Sequence, residues 1–446
     1  MFCQYCPTPV IEQLIRETSQ VFYTRLLPPL LILWGFIFQR LNADHTCDAA
    51  WSYLSGTAIQ QRLNPKNGSG KAVSESTSAY CQARQRFPYS VACQTLRITA
   101  DQLSERLAGE DRWHGQRVNL LDGSTLQLAA STKLVEHYGR SHNQKAEAHW
   151  PLMRIVAGFD FYSGAVNGVA EGAYAFSEHP LAVELIGNMG SGWVHVADRY
   201  FGVYHILQAV AAAGAQAVLR MNANIARHLA GAPLLPGSDQ AVVWNAGRFD
   251  QVENDLPTPP IPGRLIYVRL EKKGFRPIDL YLFTTLTDVS TYPLTEIVAL
   301  YGHRWNIELD LRHVKTTLRM ERLGGKSVDI VRKELVLGLL AYNLIRGLMA
   351  VATHQAGVNP CQLSLAQCWR RTTDAIRGLS RNPSSQEVEQ ALEILLGRLG
   401  RCRLLKRKKE RFEPRAVWGP VHHYPRIVGS RQQMLDAQLQ PLMDKS

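Results

Sequence analysis

The stretch V-N-L-L-D-G-S-T, from Val118 to Thr125, joins a short apolar run to an aspartate and three small or polar residues. A second stretch, W-V-H-V-A-D, runs from Trp193 to Asp198 and ends in the same way. Short apolar runs of this length are typical of buried strands, so each stretch predicts a strand that ends at a carboxylate. α/β folds place functional groups in the crevice at strand ends. Asp122 and Asp198 are therefore candidate site residues.

The order of elements around these two aspartates is that of a mixed α/β fold. Leu152–Phe159 and Ala165–Ala170 are strand-like runs that follow Asp122, with a turn between them. After Asp198 come a helical pattern over Tyr204–Ala213 and a strand-like run over Gln216–Met221. Three strands, then strand, helix, strand, is the order of a ribonuclease-H-like core, although periodicity alone does not select that fold over other α/β folds.

The regions on either side of this core predict further domains. Apolar residues at helical spacing recur before residue 110, and a proline-rich stretch at about 223–290 with short β-like runs predicts a β-rich insertion. Two long helical patterns follow, over Leu294–Leu323 and Val331–Thr353. We therefore predict a helical N-terminal domain, a catalytic domain that contains the insertion, and a helical, basic C-terminal region, at residues 1–110, 111–350 and 351–446.

The first of these long helical patterns carries the polar residues that point to chemistry. At about 100° per residue, one helical face carries a phenol, a guanidinium, a carboxylate and an ammonium group, from Tyr301, Arg304, Glu308 and Lys315. Asp310 and Glu321 fall on roughly the opposite side. Oppositely charged residues at such spacings also form ion pairs on solvated helices. Here the interleaved apolar residues favour a catalytic site instead.

The charge of the chain favours a polyanionic partner. The 446 residues carry a net charge of +12, and nucleic acid is the first expectation for such an excess. Arg401–Arg415 is a basic cluster, and Ala79–Pro88 offers Arg84 and Arg86 beside aromatic residues. This second segment is either a solvated helix end or a contact to the DNA backbone.

The sequence predicts no membrane span. The most apolar run, Leu26–Phe38, is too short to cross about 30 Å of hydrocarbon as a helix. The cysteines are dispersed, and no signal-peptide pattern is visible at the N-terminus. We therefore expect a cytoplasmic protein, associated with the nucleoid if its partner is DNA.

Together, these residues resemble a family of bacterial enzymes. The pattern Y-x2-R-x3-E-x6-K, from Tyr301 to Lys315, resembles the signature of the insertion-element-four type of DDE transposases. Asp122-Gly-Ser-Thr-Leu and Asp198-Arg-Tyr-Phe-Gly resemble the first and second aspartate motifs of that family. Ala79–Pro88 resembles the end of the family's N-terminal domain, and Tyr342–Arg346 resembles a segment seen after the signature helix. The resemblance covers most of the chain.

This resemblance implies both a fold and a reaction. It implies a ribonuclease-H-like core with a β-rich insertion between Asp198 and Glu308. It also implies a transposase that cleaves the ends of its insertion sequence and joins them to target DNA. In that reaction Asp122, Asp198 and Glu308 hold two Mg²⁺ ions, for which Mn²⁺ can substitute.

The resemblance also assigns DNA contacts. Tyr301, Arg304 and Lys315 would contact DNA phosphates near the cleavage point, and two DNA ends would be held by a dimer. Members of the family can flip a base out of the duplex, and Trp244 is one candidate to stack on it. A buried core tryptophan is the alternative for Trp244.

Three other functions remain open from the residues. They are a metal-dependent nuclease that cuts without joining, a transposase-derived regulator that only binds DNA, and an interaction module with no role on DNA. The three acidic residues argue against the regulator, and the basic cluster argues against the module. A joining assay with a pre-cleaved end separates the nuclease from the transposase.

Overall fold

A computed structural model describes the chain at residues 5–18, 27–42, 44–55, 74–108, 112–142, 147–247, 258–271, 277–304, 310–356, 362–379 and 384–404. Residues 1–268 and 279–406 form one compact unit, and residues 269–278 and 407–446 form a second. In the small described part of the second unit, Arg269 pairs with Glu271 at 2.8 Å.

The N-terminal region is helical, as the apolar spacing predicts. Its helices are α1 Thr8–Glu17, α2 Pro29–Leu41, α3 Cys47–Leu54, α4 Ser78–Arg86 and α5 Tyr89–Ala108. Local sequence sets several of their ends. Pro29 begins α2, where the missing N–H costs nothing. The Thr46 hydroxyl caps α3 by accepting a hydrogen bond from the Ala49 N–H at 3.0 Å.

Within the described residues, ten strands form one sheet, and most of its neighbouring pairs are antiparallel. The strands are β1 Arg117–Leu128, β2 Arg140–His142, β3 Glu147–Asp160, β4 Val166–Ala173, β5 Trp193–Ala197, β6 Gln216–Arg220, β7 Ser238–Trp244, β8 Ile261–Leu270, β9 Ile278–Thr284 and β10 Arg322–Leu323. Their order is β2-β3-β1-β5-β6-β9-β8-β7, with β4 beside β3 and β10 beside β1. β1, β5 and β6 are parallel to one another, and β3 is antiparallel to both β1 and β4.

Strand β1 is longer than its apolar run predicts. Its antiparallel pairing with β3 continues to Gln127, opposite Leu152, so Asp122 lies inside the strand and not at its end. The polar residues stay extended because β3 supplies their backbone partners. The parallel pairing with β5, however, stops at Leu121 opposite Ala197. Asp122 is therefore the first residue of β1 beyond the end of β5.

The proline-rich stretch forms β7, β8 and β9, as its β-like runs predict. These strands lengthen the central sheet, because β9 pairs antiparallel with β6 through Phe283 opposite Leu219. β7 and β8 pair from Ser238 opposite Tyr267 to Trp244 opposite Ile261. The inserted strands are thus continuous with the sheet that carries Asp122.

Helices cover both faces of the sheet. The remaining helices are α6 Thr132–Tyr138, α7 Glu178–Met189, α8 Tyr204–Ala212, α9 Ala223–Ala230, α10 Leu294–Gly302, α11 Val328–Ala356, α12 Leu365–Gly378 and α13 Ser385–Leu399. α11 packs against α2 and α5, and their side chains form one buried cluster with one face of the sheet. α7 and α8 form a second cluster with the other face. Strands buried on both faces explain the continuous apolar runs of β1 and β5.

The prediction of one continuous helix over Leu294–Leu323 is wrong. α10 ends at Gly302, a π-helical turn spans His313–Thr317, and Arg322 and Leu323 form β10. β10 pairs in parallel with the end of β1, and this tertiary pairing overrides the helical pattern. Lys315 therefore does not follow Tyr301 at a constant angle of 100° per residue.

One helix of the described chain is long and apolar enough to cross a membrane, Val328–His354 within α11. Of its most apolar window, 94% is buried inside the protein. An all-round apolar helix is expected in the interior of a large domain, and α11 contacts helices on several sides. Its composition is explained by this position in the core.

The buried pair Arg84–Glu334 gives a test of the helical packing. Arg84 donates to Glu334 at 2.6 Å, and both side chains are almost fully buried. Arg84→Ala leaves a buried, unpaired carboxylate and should lower the free energy of unfolding by about 3 kcal/mol. Arg86 is exposed on the same helix, so Arg86→Ala should change it by less than about 0.5 kcal/mol. Urea denaturation measures both, and equal losses would contradict this packing.

Candidate active site

The register of the three parallel strands brings Asp122 and Asp198 together. Leu121 pairs with Ala197, so Asp122 and Asp198 are both one step beyond the last pair of β1 and β5. The next strand continues this row, because Ala197 pairs with Leu219 and Arg220 follows at the end of β6. Neighbouring strands are about 4.8 Å apart. Two carboxylates and a guanidinium group therefore begin from adjacent points on one sheet.

These three residues belong to the same face of the sheet. Val118, Val194 and Val218 pack in the cluster with α11, whereas Leu121 and Ala197 pack in the cluster with α7 and α8. Successive residues of a strand alternate between the faces. On each strand, the charged residue lies an even number of residues after the valine: Asp122 after Val118, Asp198 after Val194, and Arg220 after Val218. They therefore start from the face that α10 and α11 cover.

Both aspartates are half-buried and locally oriented. The Asp122 carboxylate accepts a hydrogen bond from the backbone N–H of Gly123 at 2.9 Å. The Asp198 carboxylate accepts one from the backbone N–H of Tyr200, also at 2.9 Å. Each carboxylate is thus oriented by its own turn of backbone, and each aspartate is only partly buried.

Tyr301 and Arg304 lie beside the second aspartate, at the end of α10. Burial raises the pKa of Tyr301, while the nearby guanidinium groups of Arg304 and Arg220 act in the opposite direction, and the Asp198 carboxylate adds to the rise. The Tyr301 hydroxyl is buried, and among the described residues no partner lies in good hydrogen-bond geometry. Tyr301 is therefore a neutral phenol surrounded by charged groups.

Lys315 lies beside the first aspartate. An open cleft of about 360 Å³ is lined by Asp122 and Ser124 on one side, and by Lys315 and neighbouring residues of the π-helical turn on the other. The structure thus brings five of the six predicted site residues to one region. Glu308, the sixth, lies outside the described residues, so the predicted convergence of three carboxylates stays a prediction.

Two charged residues of this region are absent from the sequence prediction. Arg220 ends the apolar run of β6 just as Asp198 ends that of β5, and that similarity was the available signal. Glu178 begins α7 and pairs with Arg154 at 3.4 Å. Burial raises the pKa of Glu178; Arg154 opposes this rise, and Asp198 adds to it. The sequence offers no signal for Glu178, because only the fold places it beside Gly123.

Two glycines of the aspartate motifs are required by close approaches. A Cβ atom at Gly123 would lie 2.1 Å from a carboxylate oxygen of Glu178. A Cβ atom at Gly202 would lie 2.1 Å from the backbone oxygen of Arg220. The second contact joins the turn after Asp198 to the end of β6. It therefore fixes the relative position of Asp198 and Arg220.

The donor atoms at this site fit a divalent metal ion. Carboxylate oxygens are the ligands that Mg²⁺ prefers in proteins, and Asp122 and Asp198 offer them from adjacent strands. In the part of the chain that the structure describes, no three His, Cys, Asp or Glu side chains are grouped closely enough to hold an ion. The two aspartates would therefore need a further ligand, and Glu308 in the signature is the residue of suitable chemistry.

The residues predicted to bind DNA outside this cleft have different environments. Arg86 is exposed at the end of α4. Arg84 is buried against Glu334 and the ring of Phe36, so its position does not favour a contact to DNA. Trp244 is also buried, with its ring edge-to-face against Phe283 at 5.3 Å, which favours the core alternative. Of the basic cluster, residues 405–415 lie outside the described residues.

Comparison with known proteins identifies the class. The family described as "Transposase DDE domain" matches residues 113–344. The transposase InsG of insertion sequence element IS4 from Escherichia coli is 27% identical over 357 residues, which cover 78% of each chain. The putative transposase y4zB of Sinorhizobium fredii is 25% identical, over 59% of this chain and 69% of that protein.

A solved structure gives a weaker likeness. The synaptic complex of piggyBac transposase with hairpin DNA is 11% identical, with a TM-score of 0.40, and covers 92% of this chain and 85% of that one. A likeness at this level does not bear on the fold, so the family assignment depends on sequence.

The chain belongs to the transposase DDE domain family, since that family matches more than half of its residues, including both aspartates. It is an enzyme, and its relatives show more particularly that it is a bacterial DDE transposase of the IS4 type. Enzymes with this domain depend on divalent metal ions.

The two close approaches predict different outcomes on substitution. Gly202→Ala forces a methyl group against a backbone oxygen and should lower the free energy of unfolding by about 1–3 kcal/mol. Gly123→Ala should cost less, because the Glu178 side chain can move aside. Urea denaturation of both variants measures the difference.

Gly187→Ala is the matched control. Gly187 lies in α7 with open space around it, so alanine there should be neutral or stabilise by up to about 1 kcal/mol. A loss at Gly202 no larger than that at Gly187 would show that the approach to Arg220 is not tight.

Proposed function

We propose that this transposase cleaves the ends of its own insertion sequence and joins them to target DNA by metal-dependent phosphodiester transfer. The observation that carries the proposal is the row of Asp122 and Asp198 on adjacent parallel strands, with Asp122 lining the cleft that Lys315 also lines. Membership of the transposase family supports the same reaction class.

The proposal includes a ribonuclease-H-like core. The strands β4-β3-β1-β5-β6 are adjacent in that order, with β3 antiparallel to its neighbours and the last three parallel. Along the chain, the antiparallel strands β1, β3 and β4 come first. They are followed by α7 and the parallel strand β5, and then by α8 and the parallel strand β6. This agrees with the order predicted from the sequence, and it supports the core without requiring a structural relative.

Asp122, Asp198 and Glu308 would hold two divalent cations, which we propose to be Mg²⁺ with Mn²⁺ as a substitute. Such ions supply an activated oxygen nucleophile and neutralise charge on the leaving oxygen. The protein's own part is to place its carboxylates on a rigid sheet. Asp122 lies within β1 and Asp198 directly follows β5, so both carboxylates start from strands that the core holds in place.

Tyr301, Arg304 and Lys315 would bind phosphate oxygens of the DNA. Tyr301 stays protonated, because burial raises its pKa, and a neutral phenol donates a hydrogen bond to a phosphate. Arginine forms two parallel hydrogen bonds to a phosphate, and lysine supplies a compact charge. These three groups would orient the DNA backbone against the two aspartates.

The remaining parts of the proposal concern DNA recognition. We propose that the helical region 1–110, with Arg86 exposed, recognises the terminal repeats and that the basic cluster adds contacts independent of sequence. A dimer would hold two DNA ends. Its DNA substrate implies that the enzyme acts in the cytoplasm, at the nucleoid.

Removing one candidate metal ligand should separate catalysis from binding. Asp122→Asn and Asp198→Asn each keep size but remove a charge, so cleavage of terminal DNA in Mg²⁺ should fall by more than about 100-fold. Binding of the same DNA should stay close to that of the parent. Glu308→Gln should behave in the same way. Gel assays of cleavage and binding measure both quantities.

The control must be a carboxylate outside the site. Asp374 is exposed on α12, and Asp374→Asn should cleave normally. Asp310 is unsuitable as a control, because it is buried, accepts a hydrogen bond from Tyr342 at 3.1 Å and lies 3.8 Å from the guanidinium of Arg346. Normal cleavage by all three ligand variants would refute the DDE assignment.

Strand joining distinguishes the transposase from a nuclease. Given a pre-cleaved terminal end with a 3′ hydroxyl, the enzyme should join it to a target duplex in Mg²⁺. Joining and cleavage should both disappear in Asp122→Asn, because one set of carboxylates serves both steps. Cleavage without any joined product at several protein concentrations would favour the nuclease.

Salt should weaken DNA binding steeply, because phosphate contacts release counterions. With six or more phosphate contacts, affinity should fall by at least about 10³-fold between roughly 50 and 200 mM salt. Fluorescence anisotropy with terminal DNA measures this change. An affinity indifferent to salt over that range would contradict the role of the basic residues.

A further inference from the structure

We infer that Arg220 binds a phosphate of the DNA at the cleavage point, as a residue of the active site outside the four-residue signature. The inference rests on the proposed function, and it adds a substrate contact to it. Arg220 is the last residue of β6 and the third member of the row formed with Asp122 and Asp198.

The backbone of Arg220 is held rigidly. Its carbonyl group lies against Gly202, so close that a methyl group at Gly202 would overlap it. Arg220 also pairs across the sheet with Leu282 of β9. The start of the side chain is therefore fixed about 4.8 Å from that of Asp198, the spacing of adjacent strands. The guanidinium group at the end of this side chain lies beside Tyr301, which is also close to Asp198.

The surroundings of Arg220 differ from those of the buried arginines. Arg84 pairs with Glu334, Arg264 with Asp239 and Arg346 with Asp310. Among the described residues, Arg220 forms no such ion pair, and it lies instead beside the neutral Tyr301 hydroxyl. It is half-buried. Within the described residues, Arg220 therefore does not serve as the ion-pair partner of a single buried carboxylate.

A phosphate is the ligand that this arrangement suits. A guanidinium group binds two phosphate oxygens through parallel hydrogen bonds and keeps its charge at any physiological pH. Tyr301 next to it offers a further donor for the same anion. The carboxylates of Asp122 and Asp198 would repel a phosphate in the absence of cations, and Arg220 offsets part of that repulsion on the side nearest Asp198.

The test uses DNA in which single phosphates are neutral. Binding of terminal duplexes is measured without divalent metal, each duplex carrying one methylphosphonate near the cleaved bond. For the parent enzyme, one or two of these positions should weaken binding by about tenfold. Arg220→Ala should weaken binding to normal DNA by a similar factor, but the neutral phosphate at those positions should cause no further loss. The slope of log affinity against log salt should fall by about one.

Two variants keep the result interpretable. Arg220→Lys retains the charge without the paired hydrogen bonds and should give intermediate affinity with the parent's salt slope. Arg227 is exposed on α9 and donates to Asn224 at 3.3 Å, so Arg227→Ala should leave the pattern of sensitive phosphates unchanged. Urea denaturation checks that each variant is folded.

The inference is overturned if Arg220→Ala responds to every methylphosphonate as the parent does, or if its salt slope is unchanged. This outcome differs from failure of the proposed function, in which the parent enzyme would not cleave terminal DNA with any divalent metal. The binding measurements remain valid in that case, since they need no metal.

Discussion

The site depends on one constraint, the parallel register of β1, β5 and β6. Backbone hydrogen bonds fix Leu121 beside Ala197 and Ala197 beside Leu219. The next residue of each strand is charged, so the register alone sets two carboxylates and a guanidinium side by side. A slip of one residue would turn those side chains to the opposite face. Like charges at adjacent positions raise each other's energy, so this arrangement needs a rigid support and nearby cations.

The support comes from burial on both faces of the sheet. Helices α2, α5 and α11 cover one face, and α7 and α8 cover the other. Because apolar residues of β1 and β5 pack on both sides, slippage would bury polar groups and expose apolar ones. The close contact between Gly202 and the backbone oxygen of Arg220 further restricts movement at the end of β6. Binding energy from the core thus maintains a cluster of charges that is unfavourable by itself.

Much of this arrangement could be predicted from the sequence, and the exceptions have physical causes. Apolar runs that end in aspartate identify Asp122 and Asp198, because strands of this sheet are buried on both faces. The length of β1 was missed because its polar half is held by pairing with β3. The helix expected over Leu294–Leu323 ends at Gly302, and its last two residues instead form β10, which pairs with β1.

Long-range contacts explain the other differences. From local sequence, Arg84 and Trp244 are candidate DNA contacts. In the structure both are buried, Arg84 against Glu334 and Trp244 against Phe283, and these partners come from other elements of the fold. Glu178 approaches Gly123 only through the placement of α7 on the sheet. Local patterns give the type of an element and the residues at its end. They do not give the partners that residues acquire from other elements.

The burial of α11 has a consequence for synthesis of the protein. A stretch as apolar as Val328–His354 is hazardous while it is exposed, since it could aggregate or enter a membrane. In the gene it follows α2, α5 and the strands whose side chains cover it. During translation from the N-terminus at about 5–20 residues per second, those partners leave the ribosome first. When the helix emerges, those packing partners have therefore already been synthesised. A circular permutation that placed the helix first would remove this order of synthesis.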